Sequence, residues 1–431
     1  MMNTDVLKSL LRKIPGLKFC VHVCRRIPFL LGVYYYRLFC LPKLLKRIRK
    51  RQVIRVAFEA YNVSMWKYHS LYKAMESDSR FEPFVLLTPS PSRSEYVREK
   101  DLQDMKRVFN ERGYKIYPSV IRYSLCFEKK IPADIIFFCQ PYSFDKFSFR
   151  LRNYLYAHSS YGFSTVTNQK WCEDTILKNI AFLYATESKL SIDDSKKITA
   201  IHGKNRVYTG YVFGDELLNP IASEEIKWKH PEKNLKKIIW APHFSIAQNH
   251  VLHLSNFLEM NSYMIDIAIK FKDSIQFAFK PHPYLFNQLC QTEGWGEAKA
   301  LEYYDLWRNM ENTQLEDGLY ANLFNSSDAI IHDCASFKVD WLYTQKPGFY
   351  VMKNEVDNEI NSIGKEALEC YYKGLKREDI ENFILQVVLC GEDYLKEKRS
   401  SFFDKYLIPP NSRNAANNIV EELVKIIWNK K

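Results

Sequence analysis

Residues 328–351 read DAIIHDCASFKVDWLYTQKPGFYV. A run of apolar residues enters Asp333. The following stretch places Phe337, Trp341 and Leu342 on one face at helical spacing, and a second apolar run closes the segment at GFYV. Short apolar runs on either side of an amphipathic stretch predict a strand, a helix and a parallel strand. Working outward, IIWAP at 238–242 and IQFAFKP at 275–281 are further strands, and helices are expected near 250–270, 301–310, 335–345, 376–390 and 412–429. The upstream half repeats the alternation. Strands are predicted at 53–60, 83–88, 115–118, 134–139, 180–186 and 206–210, with one helix from Ser64, which would cap it, and another from Ser94 to Arg112.

The charged stretch EEIKWKHPEKNLKK at 224–237 separates the two halves as a linker. The chain therefore divides into a basic segment (1–51), a Rossmann-like acceptor domain (52–223), a Rossmann-like nucleotide-donor domain (238–410) and a closing C-terminal helix (411–431). The fold class is α/β, with the two domains facing across a cleft. The length of 431 residues suits two cores rather than one. With 46% hydrophobic and 26% charged residues, the composition excludes a disordered, collagen-like or multi-span membrane chain. Neither GxGxxG nor GxxxxGK[ST] occurs.

The net charge of +12 lies wholly in residues 1–51, which hold 13 Lys and Arg against Asp5 alone, so the body is formally neutral. That balance argues against a nucleic-acid partner, because a binding face would need a basic stripe on the body. The basic residues alternate with Leu, Phe and Tyr, the pattern of a segment lying on an anionic membrane surface, with a basic helix packed on the body as the alternative. Its longest uncharged apolar run, 27–36, has ten residues, short of the roughly 18 that cross a bilayer. Ten cysteines without a CxxC pair suggest neither a zinc site nor a disulfide framework and point to a reducing cytoplasm.

Three strand ends carry candidate chemistry, because ligands of open α/β sheets bind there. In KPHP (280–283), Lys280 precedes His282, whose imidazole can meet a phosphate or a reacting hydroxyl, or can cap the next helix. In DCAS (333–336), Asp333, Cys334, Ala335 and Ser336 open a helix whose free N–H groups would hold an anion, unless Asp333 acts only as the cap. WAPHFS (240–245) puts His243 toward the same cleft. In the first half, YAHSSYGFST (156–165) is a hydroxyl-rich loop with His158, Tyr161 and Gly162, His158 being a candidate base or a solvated loop histidine. No chemistry is assigned to YTGYVFGDE (208–216), a turn that could close the first domain. No Asp-x-Asp triplet occurs, so a metal-bridged donor is not expected.

The ordered series DIIFFCQPYS, YGF, YTGYVFGDE, WAPH, FKPHP, SDAIIHDCASF and TQKP, spanning roughly residues 55–405, resembles the CDP-glycerol glycerophosphotransferase family of teichoic-acid and capsule loci. The resemblance implies a GT-B fold, with His282 and Ser336 holding the donor diphosphate. The family's Trp-His-Gly-Thr motif is absent, and YGFST at 161–165 takes the equivalent loop. The resemblance further implies a cytoplasmic enzyme, peripheral on the inner face of a bacterial plasma membrane. It would move glycerol phosphate or a related polyol phosphate from a CDP-linked donor to a lipid-linked glycan, with no cofactor or metal. The alternatives are a nucleotide-sugar glycosyltransferase and a non-catalytic membrane scaffold on the same fold.

Overall fold

A computed structural model describes residues 17–89, 95–118, 131–139, 149–167, 170–224, 226–247, 254–353 and 360–428. Twelve strands form two parallel sheets of six. The first contains β1 (Ile54–Ala60), β2 (Phe81–Leu87), β3 (Ile135–Phe137), β4 (Leu155–Ser159), β5 (Leu183–Thr186) and β6 (Arg206–Tyr208) in the order β2-β1-β3-β4-β5-β6. The second contains β7 (Lys236–Ala241), β8 (Ile275–Phe279), β9 (Thr313–Leu315), β10 (Ala329–His332), β11 (Gly348–Val351) and β12 (Tyr372–Gly374) in the order β12-β11-β10-β7-β8-β9. Helices cover both faces of such sheets, which is why β1, β8 and β10 are nearly continuous apolar runs with almost every residue buried.

Each sheet reverses strand order once, between β1 and β3 and between β10 and β7. Crevices open at such points, outside the carboxyl ends of the strands. The site described below is carried by the loops after β1 and β10 at these points and by those after the neighbouring strands β4 and β8. The strand expected at 115–118 contributes a single bridge, Ile116 to Val85, because it is a short edge segment.

The chain crosses back at its end. The helix Ala415–Trp428 buries Ala415, Ile419, Leu423 and Ile427 in the core of the first domain, not the second. The segment YTGYVFGDE receives it. Gly210 has φ +88°, and a Cβ there would lie 2.7 Å from Pro409. Asp215 accepts from the N–H groups of Ala415 and Ala416, both at 2.9 Å.

Of the basic N-terminal segment, residues 1–16 lie outside the described residues; the rest is helical through Leu17–Tyr35, a π turn at Tyr36–Cys40 and Leu41–Ile48. One face packs as the alternative expectation held: Val33, Tyr36, Cys40, Leu44 and Ile48 join the first-domain core, and the Tyr36 hydroxyl donates to Tyr154 O at 2.5 Å. Arg26 pairs with the buried Asp174 at 2.6 Å, and Arg37 donates to Asn179 O and Ala181 O. The other face leaves Ile27, Leu31, Tyr34, Leu38 and Phe39 exposed. Among the described residues no helix is long and apolar enough to cross a membrane.

Replacing Asp215 by Ala leaves two buried helix-terminal N–H groups without an acceptor, so Asp215→Ala should lower stability by about 2 kcal/mol in urea unfolding. Asp215→Asn, which keeps an acceptor oxygen, should lose less.

Candidate functional site

Between the domains, a cleft is lined by Ser64, Lys67, Tyr161, Lys280, His282, Tyr320, Cys334 and Ser336. Lys280 follows β8 directly, is 2% exposed, and donates to Gly318 O at 2.8 Å. Burial lowers its pKa to about 8 against the pull of Asp317 and Glu316. The His282 ring accepts the Tyr284 N–H on Nδ1 at 3.2 Å, so the proton sits on Nε2 as a hydrogen-bond donor. The histidine thus closes the turn before the next helix.

Asp333 and His243 support this wall. Both carboxylate oxygens of Asp333 accept backbone N–H groups, from His243 and from Asn256, each at 2.6 Å. Burial raises its pKa to about 6 in spite of them. Asp333 therefore ties the loops after β7 and β10 together at the point of strand reversal. His243 is buried, holds Ser245 Oγ at 2.7 Å through Nδ1, and packs 5.0 Å from the His282 ring. It lines neither this cleft nor the first-domain cavity. Cys334 is buried, its thiol donating to Ala241 O. The helix expected at 335–345 is shorter and tighter, Phe337–Asp340 followed by a 3-10 turn Trp341–Thr344, so Cys334, Ala335 and Ser336 form the turn ahead of it.

On the first domain a cavity of about 270 Å³ is lined by His158, the loop 160–167, Glu173, Lys178, Tyr184, Arg206, Ala335 and Ser336, among others. His158 is the penultimate residue of β4, 1% exposed, stacked 4.4 Å from Phe138. Its Nδ1–H donates to Phe138 O at 2.8 Å, which leaves the Nε2 lone pair with no partner among the described residues. Burial first, then Lys178, lowers its pKa to about 3, so the ring is neutral. The solvated-loop alternative for this residue does not describe a side chain so enclosed.

Glu187 anchors the loop: Ser160 and Ser191 donate to it, and so does Ser164 N–H at 3.3 Å. From the second domain, Asn361 N–H donates to Thr165 O and its side chain to Ser164 O, both at 3.0 Å. Gly162 brings the loop against Ser336, where a Cβ would sit 3.9 Å from Ser336 Cβ. Tyr161 and Ser336 line both the cleft and the cavity.

Lys67 was not legible in sequence. The helix predicted from Ser64 begins at His69, and Asn62 Oδ1 instead turns the loop by accepting from Ser64 Oγ and Met65 N–H. Lys67, 6% exposed, reaches Tyr320 and Asp340 of the second domain.

No family model and no curated protein matches the chain. Solved structures do. A variant of the wall teichoic acid polymerase TagF soaked with CDPG aligns over 94% of this chain and 98% of its own, with a TM-score of 0.55 and 13% identity. Staphylococcus aureus MnaA solved with UDP aligns over 88% and 99%, at 0.53 and 11%. A UDP-N-acetylglucosamine 2-epimerase described as putative, from Listeria monocytogenes, aligns over 88% and 98%, at 0.53 and 12%.

With its folded pKa near 3, His158 stays neutral where a free histidine takes up a proton, so its contribution to stability falls as pH drops through 6.5 toward 3. His158→Gln should lose less melting temperature than the parent chain between pH 7 and pH 5. The two domains, their strand reversals and these neighbours together give the chain a GT-B-like fold.

Proposed function

We propose that this chain is a transferase that moves glycerol phosphate, or a related polyol phosphate, from a CDP-linked donor to a hydroxyl of a lipid-linked surface glycan. The observation that carries the reading is that Tyr161 and Ser336 belong to both hollows, so a donor in the cleft and an acceptor in the first-domain cavity would meet between them. The donor diphosphate lies against Lys67, Lys280, His282 and the N–H groups at 335–336, which offset charge as it develops. The acceptor oxygen attacks the distal phosphorus, and its proton passes to Nε2 of His158. The bond from that phosphorus to the bridging oxygen breaks, and CMP leaves with the electron pair. The TagF neighbour soaked with CDPG supports the polyol-phosphate donor. A nucleotide-sugar donor is the second reading, favoured by the neighbour solved with UDP.

On the same reading the protein sits on the inner face of the plasma membrane. The exposed stripe of Leu31 (66%), Leu38 (64%) and Phe39 (57%) runs into the exposed Lys43, Lys46, Arg47 and Lys50, the combination that seats an interfacial helix on anionic lipid.

His282→Ala and Ser336→Ala should each lower kcat/KM by about 100-fold or more with little change in melting temperature. In a thermal-shift panel, CDP-glycerol and CDP should stabilise the protein, with or without EDTA, and UDP-sugars should not. Stabilisation confined to UDP-sugars would install the second reading.

Changing Leu31, Leu38 and Phe39 together to Glu alters no buried residue and should abolish co-sedimentation with anionic vesicles. Unchanged sedimentation would remove the membrane assignment.

A further inference from the structure

Behind His158, the floor of the first-domain cavity holds a buried charge cluster that the transfer step does not use. Lys178 and Arg206 come from different elements, the helix Ile176–Ile180 and β6, and their side chains are 4% and 2% exposed. Both bind a single carboxylate, Glu173, Lys178 at 2.5 Å and Arg206 at 2.7 Å. The Tyr184 ring lies under both, 3.9 Å from the guanidinium carbon and 5.3 Å from the ammonium. Two buried cations share one carboxylate, while Glu187, the other buried carboxylate of the cavity, is taken up by Ser160, Ser191 and the Ser164 N–H, so the Lys178–Arg206–Glu173 trio itself carries one positive charge in excess. An ammonium has three N–H donors and a guanidinium five. Glu173 is the only hydrogen-bond acceptor for either side chain among the described residues, and both side chains line the cavity.

We propose that Lys178 and Arg206 form an anion subsite that binds a phosphate ester carried by the acceptor, next to the hydroxyl presented to His158. A fork-shaped guanidinium beside an ammonium suits the several oxygens of a phosphate, and a cavity of about 270 Å³ leaves room for the polyol or sugar attached to it. The inference rests on the first-domain cavity being the acceptor's side of the site. It narrows the acceptor to chains or sugars bearing phosphate within reach of the reacting hydroxyl.

The test uses sn-glycerol 3-phosphate, inorganic phosphate and glycerol as probes, titrated into the full chain by calorimetry. Glycerol 3-phosphate should bind more tightly than inorganic phosphate, and glycerol should not bind. Lys178→Met should weaken glycerol 3-phosphate by about tenfold or more. Glu173→Gln removes the competing carboxylate and should tighten it several-fold, a gain that a purely structural cluster would not give. It also keeps the proposal testable if Lys178→Met does not fold. Binding should survive Lys280→Met, which alters only the donor cleft.

Phosphate binding lost in Lys280→Met but kept in Lys178→Met would place the anion in the cleft and overturn the subsite. So would the absence of any gain in Glu173→Gln. Nucleotides that bind while glycerol 3-phosphate does not would overturn the subsite and leave the transferase reading standing. Glycerol 3-phosphate that binds as described while no nucleotide does would keep the subsite and remove the transferase reading.

Discussion

The cleft depends on one buried contact across the domain seam. Lys67 leaves the first sheet on the loop after β1 and is enclosed by the second domain, where Asp340 Oδ2 lies 3.3 Å from its ammonium and Tyr320 is bonded to both. Phe213 and Tyr320 present their rings to the same charge at 3.7 and 4.4 Å. Burial pulls the Lys67 pKa down, and Asp340 opposes it. Breaking a buried pair by removing one partner costs about 3–5 kcal/mol, because the other charge stays behind without water. The domains cannot part at this seam without exposing or orphaning that pair. The loop carrying Lys67 is therefore held over Lys280 and His282 while the cleft stays narrow.

The returning helix sets the second constraint. Its N-terminus is held by Asp215, on the helix Val212–Leu218 of the first domain, and Phe213 on that same helix faces Lys67. Tyr343 from the second domain packs so closely that any Cβ on Gly214 would fall within 2.6 Å of its ring. One short helix thus touches the last helix, the second domain and the buried lysine, so the segment with no assigned chemistry at the sequence level holds the architecture together.

The reach of each interaction decides what could be read from sequence. Strands such as β1, β8 and β10 were legible because burial on both faces demands uninterrupted apolar runs, and the strand-end motifs around His282 and Ser336 were legible because strand ends are where such sheets bind ligands. Asp333 was found at the right place but with its oxygens turned to backbone N–H groups, since its partners lie 77 and 90 residues away in sequence. Lys67, Lys178 and Arg206 carried no signal at all. A lysine in SMWKYHS reads as a solvated helix position, and only the tertiary fold encloses it. The N-terminal helix was read by its charge and apolar content, but those two properties alone do not say which apolar face the body covers.

On the proposed reading His158 is the base; with a pKa near 3 it is a weak proton acceptor, and its surroundings say how it could be strengthened. Beside its own burial, the groups that act on the ring are Lys178 and Arg206, which lower its proton affinity, and Glu173 and the Phe138 carbonyl, which raise it. Tyr68 adds a phenol at 3.4 Å from Nδ1, and Tyr184 a ring face. Of these, only the two cations open onto the cavity with donors to spare. An anion bound between them would offset the charge that depresses His158 and raise its affinity for a proton while the acceptor hydroxyl is in place. On that reading the ring without an acceptor would be neutral and a poor base, which would disfavour transfer of the donor's phosphorus to water. The buried cation pair would then couple acceptor recognition to activation of the nucleophile through a single electrostatic interaction, with no movement of the backbone required.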